Sequence, residues 1–277
     1  MPIDFNQQII DEFRANAGRV GGPFEGARLL LLTTTGARSG APHTTPLGYL
    51  PDGGERILII ASAGGAPNHP DWFHNLVADA HVTVEDGVFT YDAHAVVLEG
   101  DERDSVFARA AEADPGWAAY QAKTTRVLPV VALDPIGGGP PAGPAGDSLK
   151  AIHDSFRREL ALIRKEIAES GPGLGAQLRV NCLTLCRGLG GHHVREDDQM
   201  FPFLERRHPE LAPALTRLRQ EHRTVERLLN ALQTLLAADR PDPTVLLSEV
   251  ERLTAELEAH LDYEEEQLAP ILNAVAV

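Results

Sequence analysis

Four apolar stripes in the second half of the chain step alternately by three and four residues, with one slip at the end of the fourth, and each stripe is interrupted by polar side chains. The first runs through Leu149, His153, Phe156, Leu160, Ile163 and Ile167. The second takes Leu178, Cys182, Leu185, Leu189, His192, Glu196, Gln199 and Phe203. The third takes Leu211, Leu215, Leu218, His222, Val225, Leu229, Leu232 and Leu236, and the fourth takes Leu246, Val250, Leu253, Leu257, His260, Glu264 and Leu268. Steps of three and four put successive residues on one helical face, so four amphipathic helices of this length predict an antiparallel four-helix bundle.

The interruptions follow a pattern. His153 and His222 each have a leucine four residues upstream. His192 and His260 each have a glutamate four residues on (Glu196, Glu264), with a proline six residues beyond it (Pro202, Pro270). Residues four apart share a helical face, so each His-Glu pair can reach one point. A carboxylate in a bundle core costs several kcal/mol unless it is paired or coordinated. Two of them beside four imidazoles call for cations. Zinc is compatible with these donors, but two carboxylates and four imidazoles suit a dinuclear centre with open positions, and two iron ions are expected. His193 and Asp197 share the spacing of His192 and Glu196 but stand one step off the stripe, which predicts an outer or surface place for both. Gly188, Gly190 and Gly191 are costly inside a helix and suggest a kink or a close backbone approach.

Residues 147–275 resemble the hemerythrin-like (HHE cation-binding) family, on His192-His-Val-Arg-Glu-Asp-Asp-Gln-Met-Phe-Pro-Phe-Leu204. The resemblance implies a non-haem di-iron centre that meets oxygen, nitric oxide, peroxide or iron itself. Oxygen-carrying members place two histidines four apart on the third helix; here Glu226 follows His222. Simple reversible oxygen carriage is therefore not expected.

At 277 residues the chain has length for about two domains. Asp134 to Asp147, rich in glycine and proline, reads as the junction, with the linker proper at 136–147. Before it, short β-rich runs alternate with turn signals: 28–35, 44–50, 56–62, 81–85, 88–99 and 127–133. Helical stretches at 5–17, 69–78 and 102–123, the last broken near Pro115, interrupt them. The expected class is α+β, a split β-barrel followed by the all-α bundle. No Gly-x-Gly-x-x-Gly follows a strand, which argues against a Rossmann domain.

A formal charge of −15, with neither half basic, excludes a sequence-independent nucleic-acid surface. Cys182 and Cys186 make no disulfide framework and read as small buried apolar groups. With no signal peptide and no long apolar run visible, a reducing cytoplasm is expected.

Two segments of the first half carry chemistry. Thr33-Thr-Thr-Gly-Ala-Arg-Ser-Gly-Ala-Pro-His-Thr-Thr-Pro-Leu47 is a strand, a turn and a strand, whose Arg38, Ser39 and backbone N–H groups can hold an anion. Ala61-Ser-Ala-Gly-Gly-Ala-Pro-Asn-His-Pro-Asp-Trp-Phe-His-Asn-Leu76 is a glycine loop leading into a helix N-terminus. Together with Tyr120-Gln-Ala-Lys-Thr-Thr-Arg-Val-Leu-Pro-Val-Val131, these segments resemble the deazaflavin-dependent nitroreductase family over roughly residues 5–135.

That resemblance implies a flavin-reductase-like barrel binding reduced coenzyme F420, with hydride passing to a quinone, nitro or enone acceptor. By motif, Arg38, Ser39, Gly40, His43, Thr44, Thr45 and Pro46 would meet the phosphate and tail of the cofactor. Ser62, Ala63, Gly64 and Gly65, with Trp72 and Asn75, would border its rings, and Tyr120 would face the substrate as a catalytic residue. Two positions that are often basic in the family are Ala41 and His43 here. The expected partners are a small-molecule substrate and dioxygen or nitric oxide, without nucleic acid or membrane, a homodimer being one assembly the sequence allows. The competing expectation is a non-enzymatic di-iron sensor or store of oxygen, nitric oxide or iron, with a degenerate cofactor domain.

Overall fold

In the computed structural model, which describes residues 3–139, 143–170 and 173–274, the first half of the chain is built on six antiparallel strands. They are β1 (Leu29–Thr35), β2 (Pro42–Pro51), β3 (Ile57–Ile60), β4 (His81–Glu85), β5 (Thr90–Val97) and β6 (Val130–Gly139), closed into a barrel in the order β1-β2-β3-β6-β5-β4. The Leu29–Leu32 run is apolar throughout because β1 is covered on both faces. Leu30 and Leu32 point to the barrel interior with Ile59, Val84, Ala93 and Leu133. Leu29 and Leu31 point outward under Ile9, Ile10 and Phe13 of α1 (Ile3–Ala15). A strand alternates its side chains, so a one-residue slip would exchange these two sets between two cores, and the register is strongly specified.

α2 (Asp71–Ala78) closes the interior with Trp72, Phe73 and Leu76. α3 (Gly100–Ala113) lays Val106 and Ala110 on Leu58, Ile60, Val130 and Ala132. It gives way to α4 (Pro115–Ala122) where Pro115 takes a first-turn position that needs no N–H and the Asp114 carboxylate accepts from Gly116 N at 2.8 Å.

The junction differs from the sequence reading. Residues 136–139, assigned to the linker, continue β6 and pair with β5 as far as Thr90↔Gly139. Pro135 is accommodated because β3 pairs with β6 only as far as Leu133, and the β5–β6 register shifts between Asp92↔Gly137 and Ala93↔Pro135, leaving Ile136 of β6 as the extra residue. The missing N–H therefore falls on a strand with one neighbour and an irregular ladder. Residues 145–147 are already helix, and 140–142, the middle of the expected linker, lie outside the described residues.

The chain divides into two compact units, Met1–Pro141 and Ala142–Val277. The second consists of α5 (Ala145–Glu169), α6 (Ala176–Arg195), α7 (Phe201–Arg207), α8 (Ala212–Leu236) and α9 (Pro243–Ala274). A π-helical turn, Glu196–Met200, joins α6 to α7, so the pair forms one side of a four-helix bundle. Leu160, Ile163, Cys182, Leu185, Leu229, Leu253 and Leu257 fill one core cluster. Leu149, Phe201, Leu204, Leu215, Leu218 and Leu268 fill a second, further towards the start of α5. The polar residues of the stripes lie between these clusters in sequence, except that His260 is flanked by Leu257 and Leu261 of the first cluster.

The π turn corrects the second stripe. Gln199 is exposed and Phe203 half-buried, whereas Phe201 and Leu204 are fully enclosed. Closing a turn over five residues instead of four shifts the helical phase. No kink or close approach marks the glycines. α6 runs unbroken through them, and an added methyl at Gly188 or Gly191 would meet its nearest neighbour at an ordinary 3.6 Å. Cys182 and Cys186 are buried, and burial pushes the Cys186 thiol up to about 12, which leaves it inert. Among the described residues, no helix is long and apolar enough to cross a membrane.

Candidate metal centre and cofactor site

All six residues singled out from the bundle stripes are buried and converge. His153 Nε2 lies 3.2 Å from His192 Nε2, and His192 Nε2 lies 2.9 Å from Glu196 Oε1. Glu196 Oε2 is 3.5 Å from His222 Nε2. Glu264 Oε2 is 3.6 Å from both His153 Nε2 and His260 Nε2. Each glutamate thus stands between a histidine of one group and a histidine of the other. The ligand atoms of His153, His192, Glu196 and Glu264 lie within 4.8 Å of one another, and so do those of His193, His222 and His260.

The electrostatics of this pocket fit cations. Burial pushes His192 and His260 down to about 4 and His222 to about 3, so these imidazoles are neutral and offer lone pairs. Burial raises both glutamates well above the usual carboxylate range, with Asp197 adding to Glu196 and Glu196 adding to Glu264. All four of their oxygens, and the Nε2 atoms of His193, His222 and His260, are buried without a hydrogen bond. Orphaned polar atoms in this number are not tolerated in a core for packing alone. Carboxylate oxygens and imidazole nitrogens are the donors a di-iron centre takes.

An outer ring of acids fixes the rings. His153 Nδ1 is 3.0 Å from Glu265, His222 Nδ1 3.0 Å from Asp197, and His260 Nδ1 3.1 Å from Glu221. With each Nδ1–H donating outward, Nε2 keeps its lone pair for the centre. Arg157 secures Glu265 at 2.8 Å and Asp262 at 2.8 Å. Replacing Asp197 or Glu265 with alanine is therefore expected to weaken metal binding about 10- to 100-fold, measured by competition against a chelator. Affinities equal to that of the unaltered protein would deny these acids an orienting role.

Two sequence expectations separate here. Asp197 stands outside the centre, as the stripe implied, and holds His222. His193 does not stand at the surface: it is buried, stacked on His222 with ring centroids 4.1 Å apart, and edge-on to His260. The one sequence hint was its adjacency to His192, because the π turn that follows has no clear signature. Glu226 is exposed and takes no part.

In the barrel unit, the Arg38-Ser39-Gly40 turn is exposed and internally tied. Gly36 N donates to Ala41 O and Gly40 N to Gly36 O, both at 2.8 Å, and Ser39 Oγ is 3.2 Å from His43 Nε2. Gly40 has φ +67, a left-handed conformation that suits glycine. Thr44 Oγ1 is spent on Thr33 Oγ1 at 2.8 Å, and Thr45 and Pro46 pair with β1 as part of β2.

Asn75 and Trp72, expected beside cofactor rings, have their side chains inside the fold. Asn75 Oδ1 accepts from Ala37 N at 3.0 Å and Nδ2 donates to Thr34 Oγ1 at 3.1 Å, so its amide fixes the Arg38 turn. Trp72 packs in the barrel core. The motif could not say which face α2 would bury.

The glycine loop, Ser62 to Gly65, makes a tight turn with Ala63 at φ 47, Gly64 at φ 65 and Gly65 at φ 83. A side chain at Gly65 would strike Tyr120 O at 2.7 Å. Tyr120 is half-buried, edge-on to Trp117, with the Lys123 ammonium 5.2 Å from its ring centre. Sequence reasoning missed Arg126. Its guanidinium donates to Ala61 O at 3.0 Å, Ser62 O at 2.6 Å and Ala66 O at 2.9 Å, and lies 3.0 Å from His69 Nδ1. One cation thereby clamps the whole loop.

Both units have known relatives. Residues 6–135 match the model of the F420H(2)-dependent quinone reductases. An F420H(2)-dependent quinone reductase of Mycobacterium tuberculosis is 37% identical over 127 residues, 44% of this chain and 83% of that protein. The chain belongs to the F420H(2)-dependent quinone reductase family. Residues 145–272 match the Hemerythrin HHE cation binding domain. Among solved structures, an F420-H2 dependent reductase is 41% identical, covering 39% of this chain and 94% of its own, with a TM-score of 0.36. A solved chain described as a domain-swapped dimer is 36% identical, covering 48% of this chain and all of its own, with a TM-score of 0.38.

Proposed function

We propose that the barrel unit is an F420H2-dependent reductase of quinone-type acceptors, and that the bundle unit holds two iron ions and serves oxygen, nitric oxide or redox defence. The observation that carries the iron assignment is the set of buried glutamate oxygens and imidazole nitrogens without partners. His153, His192, Glu196, His222, His260 and Glu264 would hold the metal. The reductase assignment rests on family membership and on the glycine-bounded turn at 36–41 and the glycine loop at 62–65.

Reduced F420 supplies a hydride when bound. The chain's part is to position it. Arg38 and the backbone of its turn would take the anionic tail, and Ser62 to Gly65 would seat the ring system, with Tyr120 at the substrate side. Hydride chemistry moves two electrons and iron changes by one, so a quinone is the intermediary through which the two units would communicate. A cytoplasmic setting suits both chemistries.

A second reading, a non-enzymatic iron or gas sensor with a degenerate barrel, draws on one observation. The turn offers a single strong cation, Arg38, with Ala41 and an internally engaged His43 beside it. The deciding experiment mixes anaerobic protein with F420H2 and menadione, then admits oxygen, for iron-loaded and iron-depleted samples. Quinone-dependent oxidation of F420H2 is the expected result, with oxygen uptake rising only in the iron-loaded sample. No oxidation in any sample would favour the sensor.

A further inference from the structure

We infer that small ligands enter the bundle through the wall formed by α6, at the surface of Gly188, Gly190 and Gly191, and that the Phe156 ring is the door of this entrance. The inference rests on the di-iron reading above and adds a route to it. Three glycines among four residues of one helix disfavour that helix relative to alanine. Packing does not call for them. A methyl at Gly190 would meet nothing within 4 Å, and one at Gly188 or Gly191 would have an ordinary 3.6 Å to its nearest neighbour. None of the three has a positive φ. Room that alanine could fill in the resting structure is room kept for a movement.

The position of the glycines says what moves. A helical side chain lies over the turn before its own Cα, and residues four apart share a face. His192 therefore leans towards Gly188, where α6 supplies no side chain to cover it. The cover comes from α5. The Phe156 ring has its centroid 5.4 Å from that of His192, and its Cε1 is the atom nearest to a methyl at Gly188. Phe156 is only half-buried, and Gly188 is exposed. One ring thus lies against His192 on one side and against bare, exposed helix backbone on the other.

The other walls are tighter. His153, Glu264 and His260, on α5 and α9, are 0 to 1% exposed, whereas His192, Glu196 and His222, on α6, its π turn and α8, keep 4 to 5%. The far edge of the glycine surface carries a charge. Arg195 folds back along α6 until its Nη1 is 3.6 Å from the place of a methyl at Gly191, and its charge reaches His192 and Glu196. A cation at the rim draws small anions inward and hinders cations. The entrance therefore suits small anions and uncharged diatomic molecules.

The test follows azide binding to the full, iron-loaded and oxidised chain by stopped-flow absorbance, at low and high salt, beside iron content. Phe156→Ala is expected to speed association and dissociation together by about tenfold, the rate equivalent of lifting one half-buried ring off its contacts. Gly188→Leu, which fills the room beside the ring, is expected to slow both by a similar factor. In both variants the dissociation constant and the iron content stay unchanged. That equal movement marks a door, because a residue that supports the bound ligand changes dissociation alone. Arg195→Gln is expected to slow azide association at low salt and not at high salt. Should Phe156→Ala not fold, Phe156→Leu and Gly188→Ala carry the test, the second slowing both rates in a helix that alanine favours. Azide rates unmoved in the Phe156 and Gly188 variants, dissociation alone altered, or no azide uptake by the iron-loaded unaltered protein would overturn the inference alone. An unaltered protein that retains no iron would instead overturn the reading beneath it.

Discussion

Replacing Glu264 with leucine is expected to strip the bundle of most of its iron and, in the same variant, to make the metal-free protein more stable than its unaltered counterpart. The two effects have one cause. Glu264 is fully enclosed, both of its oxygens lack hydrogen bonds, and Glu196 lies close enough to raise its pKa further. Without a cation this carboxylate is a pure cost, and exchange of buried charge for an apolar side chain of similar volume commonly stabilises by about 1–4 kcal/mol. Leucine is the informative substitution because alanine would add a cavity penalty of its own. With iron present the order reverses. Metal that binds only the folded state stabilises it by about 4 kcal/mol at a thousandfold excess over its dissociation constant, and the variant forgoes that. Calorimetry with and without a chelator, beside iron analysis, reads both signs. A variant less stable than the unaltered protein in both states would mean that Glu264 is held by partners other than metal.

The same contrast explains what the amino-acid sequence could announce. The bundle was legible because burial enforces a period: leucines at three-four steps mark the core, and a histidine or glutamate on that line must be inside. The barrel was legible from short β-branched runs between glycine-rich turns, with Pro115 ending a helix for a local steric reason. What stayed hidden depends on distance in sequence or on a break of phase. The π turn at Glu196 moves Phe201 and Leu204 inward and brings His193 beside His222, yet nothing in Glu-Asp-Asp-Gln-Met requires five residues in that turn. Residues 136–139 look like linker by composition, and pairing with β5 makes them strand. Asn75 belongs to a motif that also serves ligands, and its amide is instead consumed by Thr34 and the backbone of Ala37. Arg126 could not be singled out because the carbonyls it binds lie more than sixty residues upstream, or exactly sixty in the case of Ala66.

Arg126→Ala is accordingly expected to cripple the reductase while leaving the proposed iron centre intact. The side chain holds three carbonyls of the segment from Ala61 to Ala66, the stretch that contains the left-handed Ala63, Gly64 and Gly65. Left-handed backbone at a residue with a Cβ is unfavourable on its own, so the loop needs an external restraint, and the guanidinium supplies it. Removing it leaves the carbonyl of fully buried Ala61 short of a donor. Water can reach others, which limits the loss of stability to about 2 kcal/mol. The catalytic loss is expected to be larger. A seat displaced by about 1 Å commonly costs about 100-fold in rate, and the fall should appear in kcat/KM for F420H2 with menadione as acceptor. Arg126→Lys should rescue little, because one ammonium cannot span three carbonyls held by a planar fork. Iron content, set in the other unit, should stay unchanged and serves as the control for folding. Unaltered kinetics in Arg126→Ala, with only a lower unfolding temperature, would reduce this arginine to a structural brace and release the glycine loop from its assigned place under the cofactor.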